Sequence, residues 1–234
     1  MVNSYLAGAL SGLIEVTFTH PIDYIKTKKQ QSVSLRDILR QTNMSQYYSG
    51  YGPRVVGIMP VRLTFWGTQS SIQNVLTTNQ IHLWYNFVFI GTGAAFVQTL
   101  VDTPIEVMKI AYMNKSICTS SFFKGFYPTL YRNILFSNCV ALANQQHKSR
   151  VNQSKWTTFL YAGVGGLMGS ILSQPLDYVK TQKQLPIPET RTMTQILSQE
   201  SMRTLFQGGG FRALLGMSTM GIGYCAYTSI KDSR

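Results

Sequence analysis

The sequence predicts an all-α membrane protein with six transmembrane helices in three pseudo-threefold repeats around a central cavity. A Pro-x-[Asp/Glu]-x-x-Lys motif occurs three times, beginning at Pro21, Pro104 and Pro175. Long stretches of the chain carry no Asp, Glu, Lys or Arg, and roughly 20 residues span a bilayer as a helix. The uncharged stretches therefore predict the membrane spans, and the motif predicts their threefold order.

The composition of the 234 residues favours a membrane bundle over a soluble enzyme. Charged residues make up only 13% of the chain, yet the net charge is +12, and scarce charge with abundant glycine and aromatic residues is typical of the bilayer. The mean hydropathy of +0.01 points the other way. Both observations agree if several helices face a water-filled interior, because positions that line it need not be apolar.

Three uncharged windows supply the candidate spans, at residues 63–101, 156–176 and 213–230. Many of their positions are Ser, Thr, Gln or Gly, so each would make a poor single-span anchor. We therefore expect these helices to be members of a bundle.

Neither the N-terminus nor the cysteines indicate processing or a metal. The opening stretch MVNSYLAGALSGLIEV lacks a basic or arginine-rich segment, so no cleavable targeting segment is expected. Cys118, Cys139 and Cys225 are odd in number and lack ligand spacing, so no disulfide framework and no metal site is predicted.

Each repeat has the same order of elements: a helix with two small residues, the proline motif, a polar connection, an aromatic-x-Gly tripeptide and a second uncharged helix. Small residues four apart let membrane helices approach closely. The small pairs are Gly8 and Gly12, Gly91 and Ala95, and Ala162 and Gly166, and the tripeptides end at Gly50, Gly125 and Gly208. One copy would be a weak signal, but three copies predict repeats at residues 1–76, 83–149 and 155–234.

The motif prolines explain why charged residues follow them within a membrane helix. A proline within a spanning helix removes a backbone hydrogen bond and kinks the helix, which brings the ends of three helices toward a common axis. Charged groups there must pair or face water. The acid and the base of each motif are three residues apart, so pairing within one helix is an alternative to pairing between helices.

The repeats resemble those of the mitochondrial carrier family, in which the proline motif is followed by an aromatic residue, a base and glycine. The resemblance covers essentially the whole chain, and the short connections are similar to those of a virus-encoded member. It implies a matrix-facing gate of ion pairs between helices: Asp23 with Lys109, Glu106 with Lys180, and Asp177 with Lys26. In the family a glutamine braces this ring; Gln30 and Gln184 match, and Met113 departs.

The opposite, cytosolic gate departs most from the family. In the family the second helix of each repeat carries an acid and a base at this gate, whereas the corresponding residues of this chain include no acid. We therefore expect this gate to close by polar hydrogen bonds and packing. The positions are Ser70 and Gln73, Gln145 and Lys148, and Thr228 and Lys231.

The resemblance also places the substrate contacts on the second helix of each repeat. They fall on Gly57 and Ile58, Arg132 and Asn133, and Leu215 and Gly216. The run SGYGPRVVGIMPVRLTF around the first pair is similar to pyrimidine nucleotide carriers, and its Gly-aliphatic pair implies a slot for a flat base. Arg132 followed by Asn133 is also similar to carriers of keto acids, so both substrate classes stay open.

Arginines in these helices point to an anionic substrate. They are Arg54, Arg62, Arg132 and Arg212. Arginine holds phosphate through two parallel hydrogen bonds, so several around one cavity predict a multiply charged anion. For Arg54 and Arg212, near the predicted helix ends, contact with headgroups is the alternative. Glu15, on nearly the same helix face as Lys26, is expected to line the cavity or to partner a neighbouring arginine.

The leading prediction is a secondary transporter of nucleotides or deoxynucleotides across the mitochondrial inner membrane, of the host cell if a virus encodes it. It is expected to act as a monomer by exchange and alternating access. The alternatives are a keto acid or amino acid carrier and a carrier-derived membrane protein that no longer transports. Basic connections predict matrix-facing loops and contact with anionic lipids, including cardiolipin. No nucleic-acid binding, no enzyme activity and no cofactor are predicted.

Overall fold

The computed structural model describes residues 2–30, 36, 40, 43–48, 51–80, 85–113, 123, 125–148, 154–184, 191–206 and 209–232. Its described residues form helices and short turns and include no strand, which confirms the all-α prediction. The helices are α1 (Val2–Gln30), α2 (Met44–Tyr47), α3 (Tyr51–Thr78), α4 (Asn86–Met113), α5 (Phe126–Lys148), α6 (Lys155–Leu172), α7 (Gln174–Gln184), α8 (Met193–Gln199), α9 (Met202–Leu205) and α10 (Gly209–Asp232).

The long helices form a closed ring. Helix α1 packs against α3, α3 against α4, α4 against α5, α5 against α6, α6 against α10, and α10 against α1. Within the described helices, one segment, Asn86–Ile105, is long and apolar enough to cross a membrane by length and composition. The six membrane spans therefore remain a prediction.

The motif prolines lie at different places in their helices. Pro21 lies inside α1 and Pro104 inside α4. Pro21 has no N–H to donate to the carbonyl of Thr17, and the hydroxyl of Tyr48 donates to that carbonyl instead, at 3.2 Å. In the third repeat the chain turns at Ser173, and Pro175 is the second residue of a new helix, α7. The third predicted kink is thus a helix break.

Small residues lie where helices approach most closely. A Cβ atom on Gly8 would lie 2.8 Å from the carbonyl oxygen of Arg62, across the α1–α3 contact. One on Gly166 would collide with the carbonyl oxygen of Gly216, across the α6–α10 contact. The spacing of small residues therefore predicts the helix contacts correctly within these repeats.

An aromatic cluster fills the ring on the side away from the proline motifs. Trp66 of α3 packs on Tyr227 and Tyr224 of α10, with ring centroids 5.4 and 5.3 Å apart. Phe65 and Val140 are fully buried beside them. Since these side chains come from three helices, the cluster joins α3, α5 and α10 at this level.

Candidate functional site

A buried ion pair links the first two long helices. Arg62 donates from Nε to Oε2 of Glu15 and from Nη2 to Oε1, each at 2.6 Å. The side chains of Arg62 and Glu15 are only 8% and 2% exposed. The two guanidinium nitrogens that face the carboxylate each donate to one of its oxygens, so the contact is bidentate. Gly12 and Gly223 make room for it, because a Cβ on either would lie within 3 Å of one of the two side chains.

A second charged network centres on Arg132 of α5. Its Nη1 donates to Oδ1 of Asp177 at 3.1 Å, and its Nη2 donates to Oδ2 of Asp102 at 3.3 Å. Its Nε and Nη2 also donate to Oδ1 of Asn133, at 3.1 and 2.9 Å. The amide of Asn133 in turn donates to Thr99 at 2.9 Å. The network joins α4, α5 and α7.

Arg212 extends this network to α10. Its Nη1 donates to Gln174 at 3.0 Å and its Nη2 donates to Ser173 at 2.9 Å. Its Nη1 also lies 3.5 Å from Oδ2 of Asp177. Asp177 is thus held between two arginines, one from α5 and one from α10.

Three arginines and three carboxylates contact one another in these two clusters. The guanidinium groups of Arg62, Arg132 and Arg212 each contact at least one carboxylate, and three carboxylates supply those contacts. Arginines that the sequence assigns to an anionic substrate are therefore engaged by the protein itself. The three arginines differ in the length of these contacts. Arg62 lies 2.6 Å from its carboxylate, whereas Arg132 and Arg212 lie 3.1 Å or farther from theirs.

The predicted matrix gate is described only in its third repeat. Lys180 is buried on α7, and Asp177 lies in contact with arginines rather than facing an empty pore. The other gate side chains lie outside the described residues, so the ring between helices remains a prediction. They are Asp23, Lys26, Glu106, Lys109, Gln30 and Gln184.

The remaining predicted substrate residues have different surroundings. Among the described residues, a Cβ on Gly57 would meet one atom within 4 Å, Cγ2 of Ile105 at 3.5 Å. Ile58 is half-buried beside it, and Arg54 is half-buried in the first turn of α3. On α10, Leu215 is buried, and a Cβ on Gly216 would collide with Ser170 of α6. Gly216 therefore lies at a helix contact.

Sequence reasoning missed two partners. Asp102, which contacts Arg132, stands two residues before Pro104 at the end of an uncharged window. An isolated acid at such a place was a signal of a buried partner. Gln174, which accepts from Arg212, precedes Pro175 directly. Both lie one or two residues before a motif proline, Asp102 inside α4 and Gln174 at the start of α7.

A polar contact lies at the predicted cytosolic gate. Lys231 donates to the hydroxyl of Ser70 at 3.2 Å, which joins α10 to α3. Ser70 also donates to Ser4 at 3.2 Å. The hydroxyl of Thr228 donates to carbonyls of its own helix. This arrangement agrees with the expectation that hydrogen bonds and packing take the place of ion pairs here.

Comparisons with known proteins connect the chain to one family. The family model described as mitochondrial carrier protein matches residues 1–80 and 151–233. The chain is 25% identical to the mitochondrial aspartate-glutamate transporter of Saccharomyces cerevisiae, over 97% of the chain and 31% of that transporter. It is 24% identical to the mitochondrial glycine transporter of Ovis aries, over 92% of the chain and 84% of the relative. It is 26% identical to the mitochondrial 2-oxodicarboxylate carrier of Rattus norvegicus, over 86% of the chain and 84% of the relative.

Proposed function

The chain belongs to the mitochondrial carrier family, and from this premise we propose that it carries a small carboxylic acid of the amino acid or keto acid class. As a family member it is a transporter of the mitochondrial inner membrane rather than an enzyme. Its relatives named for a glycine, an aspartate-glutamate and a 2-oxodicarboxylate substrate support this class.

The observation that carries the proposal is that Arg62, Arg132 and Arg212 each already contact a carboxylate of the protein. A substrate with several phosphates would have to displace several of these carboxylates at once. Each displaced carboxylate would be left buried without a partner, which is costly in a low-dielectric interior. A substrate with one or two carboxylates displaces fewer partners, so the existing pairing of the arginines favours a small acid.

Arg132 is the group best placed to bind that acid. Its ion pairs to Asp102 and Asp177 are 3.3 and 3.1 Å long, against 2.6 Å for the closed contact of Arg62 with Glu15. Longer, divided contacts are easier to exchange than a closed bidentate one. The two oxygens of a substrate carboxylate match two nitrogens of the guanidinium.

An amino group on the substrate would complete the exchange. If the substrate carboxylate takes the place of Asp102 or Asp177 on Arg132, the displaced aspartate needs a cation. The ammonium group of an amino acid supplies one within the same ligand, so every charge stays paired. A keto acid instead offers a carbonyl oxygen, for which Asn133 lies beside Arg132 as a polar neighbour.

Substrate binding at Arg132 would also act on the matrix gate. Asp177 belongs to the third proline motif, and the family pattern pairs it with Lys26 when the gate closes. In the structure Asp177 contacts Arg132 and Arg212, and the side chain of Lys26 lies outside the described residues. A substrate carboxylate that replaces it on Arg132 frees Asp177 for the gate, and a shift of a few kcal/mol is enough to change which state is populated.

A nucleotide is the second candidate, on a different observation. The Cβ position of Gly57 on α3 has one neighbour within 4 Å among the described residues, at 3.5 Å. A glycine at this position agrees with a slot for a base, while Arg132 on α5 and Arg212 on α10 suit a phosphate. A nucleoside monophosphate disturbs the arginine pairs least and is the favoured form of this candidate.

Uptake into liposomes tests the proposal. The purified protein is reconstituted, and counter-exchange of labelled glycine, glutamate, aspartate, 2-oxoadipate and nucleoside mono- and triphosphates is measured. We expect uptake of at least one of the acids, abolished by Arg132→Ala and kept by Arg54→Ala, a matched loss of one half-buried arginine. Uptake of nucleotides alone would establish the second candidate, and no uptake of any compound would indicate a carrier-derived protein that no longer transports.

A further inference from the structure

Three equivalent positions carry buried polar side chains at one level of the ring. Gln69, Asn144 and Tyr227 each lie the same number of residues after the aromatic-x-Gly glycine of their own repeat. The pseudo-threefold order of the repeats therefore brings them to the same height on α3, α5 and α10. We refer to these three side chains as the polar layer.

The polar layer is buried, and most of its polar side-chain atoms have no hydrogen-bond partner among the described residues. Gln69, Asn144 and Tyr227 are 7%, 7% and 5% exposed. Nε2 of Gln69, both Nδ2 and Oδ1 of Asn144, and the hydroxyl of Tyr227 have no hydrogen-bond partner among the described residues.

The surroundings of the polar layer offer donors and positive charge. The indole Nε1 of Trp66, whose ring packs 5.4 Å from that of Tyr227, is also buried without a partner among the described residues. Lys231 contacts Ser70, the residue after Gln69, and its Nζ lies 5.8 Å from the centroid of the Tyr227 ring. Amide, indole and hydroxyl donors beside an ammonium group suit an oxyanion.

We propose that the polar layer is a second anion site, which binds an oxyanion group of the substrate, carboxylate or phosphate, apart from the charged network at Arg132. Leaving several polar groups buried and unpaired costs free energy at each of them, and an oxyanion accepts hydrogen bonds from donors of these kinds. Asn144 lies about 18 Å beyond Arg132 along α5 at the helical rise of 1.5 Å per residue, so one small ligand does not reach both. The site takes a substrate entering or leaving on the side away from the proline motifs.

Fluorescence of Trp66 reports on this site directly. Trp84→Phe and Trp156→Phe leave Trp66 as the single tryptophan of the chain, which has three. The full-length protein is titrated with acetate and, separately, with inorganic phosphate at constant ionic strength, and the melting temperature is followed in parallel. We expect a saturable fluorescence change with at least one anion, and the anion that produces it identifies carboxylate or phosphate as the group bound.

Variants locate the response. Gln69→Leu and Asn144→Leu keep the side-chain volume and remove the donors, and each should weaken anion binding about tenfold or more, as expected for one hydrogen bond to a charged group. Thr228→Val is the matched control, since the Thr228 hydroxyl is used within its own helix. Arg132→Ala should leave the response unchanged.

Three results would overturn the proposal. The first is no saturable response to either anion. The second is a response lost in Arg132→Ala and kept in Asn144→Leu, which would assign anion binding to the charged network. The third is a higher melting temperature of Asn144→Leu with an unaltered anion response, which would mean that the polar layer destabilises the fold and binds no anion. None of these results depends on which substrate is transported, so they are independent of the liposome experiment.

Discussion

The pairing of Glu15 with Arg62 predicts that Arg62 is a structural residue and not a substrate ligand. Replacing Glu15 with leucine leaves a guanidinium buried without its carboxylate, and breaking a buried pair in this way costs about 3–5 kcal/mol. For a chain of this size that corresponds to a fall in melting temperature of about 6–20 °C. Arg62→Met should cost less, because a buried carboxylic acid can take a proton whereas a guanidinium stays charged.

The double variant Glu15→Leu/Arg62→Met distinguishes a structural role of Arg62 from a role in substrate binding. Replacing both partners with apolar groups of similar volume is often neutral or stabilising, so its melting temperature should return to within a few degrees of the unmutated protein. Transport in liposomes should be retained in the double variant. If the double variant is stable but has lost substrate affinity, Arg62 binds substrate and the structural assignment is refuted. If it is as unstable as Glu15→Leu alone, the pair is not the source of the stability.

Three further predictions concern substrate binding, packing and the gate. Arg132→Lys keeps the charge but loses the planar fork, so the half-saturating concentration of the transported acid should rise by about tenfold or more, and an unchanged value would assign the site elsewhere. Gly166→Leu should prevent folding or lower the melting temperature strongly, because even a Cβ meets the backbone of α10. Gly52→Ala is the control: its Cβ would meet no atom of the described residues within 4 Å, so it should be neutral or slightly stabilising in a thermal-shift measurement. Asp23→Lys should abolish exchange and Asp23→Lys/Lys109→Asp should restore part of it; no restoration would count against pairing between helices at the matrix gate.

Local sequence was a reliable guide to helices and their contacts. Gly8 and Gly166 were expected to permit close helix approach, and each lies against the backbone of a neighbouring helix. Pro21 and Pro104 lie inside long helices, as the motif predicts. Pro175 does not, since the chain turns at Ser173 before it. The motif is the same in all three repeats, so the sequence offered no sign of this difference.

The substrate assignment was less secure, because it rested on residue types rather than on their partners. Four arginines favour a polyanion when counted alone. Once Arg62, Arg132 and Arg212 are seen with their carboxylates, the count no longer measures the charge available to a substrate. The named substrates of the relatives agree with a small acid rather than a nucleotide.

By itself the sequence determined the helical class and membership of the carrier family, because these depend on spacings within a few turns of chain that recur along it, and the three repeats stay a prediction from the same spacings. Only the tertiary structure decided which charges neutralise one another. Glu15 and Arg62 are 47 positions apart, and Arg132 and Asp177 are 45 apart. Whether two such groups meet depends on how closely whole helices approach and which faces they turn inward, and that is set by the packing of all the helices in the ring.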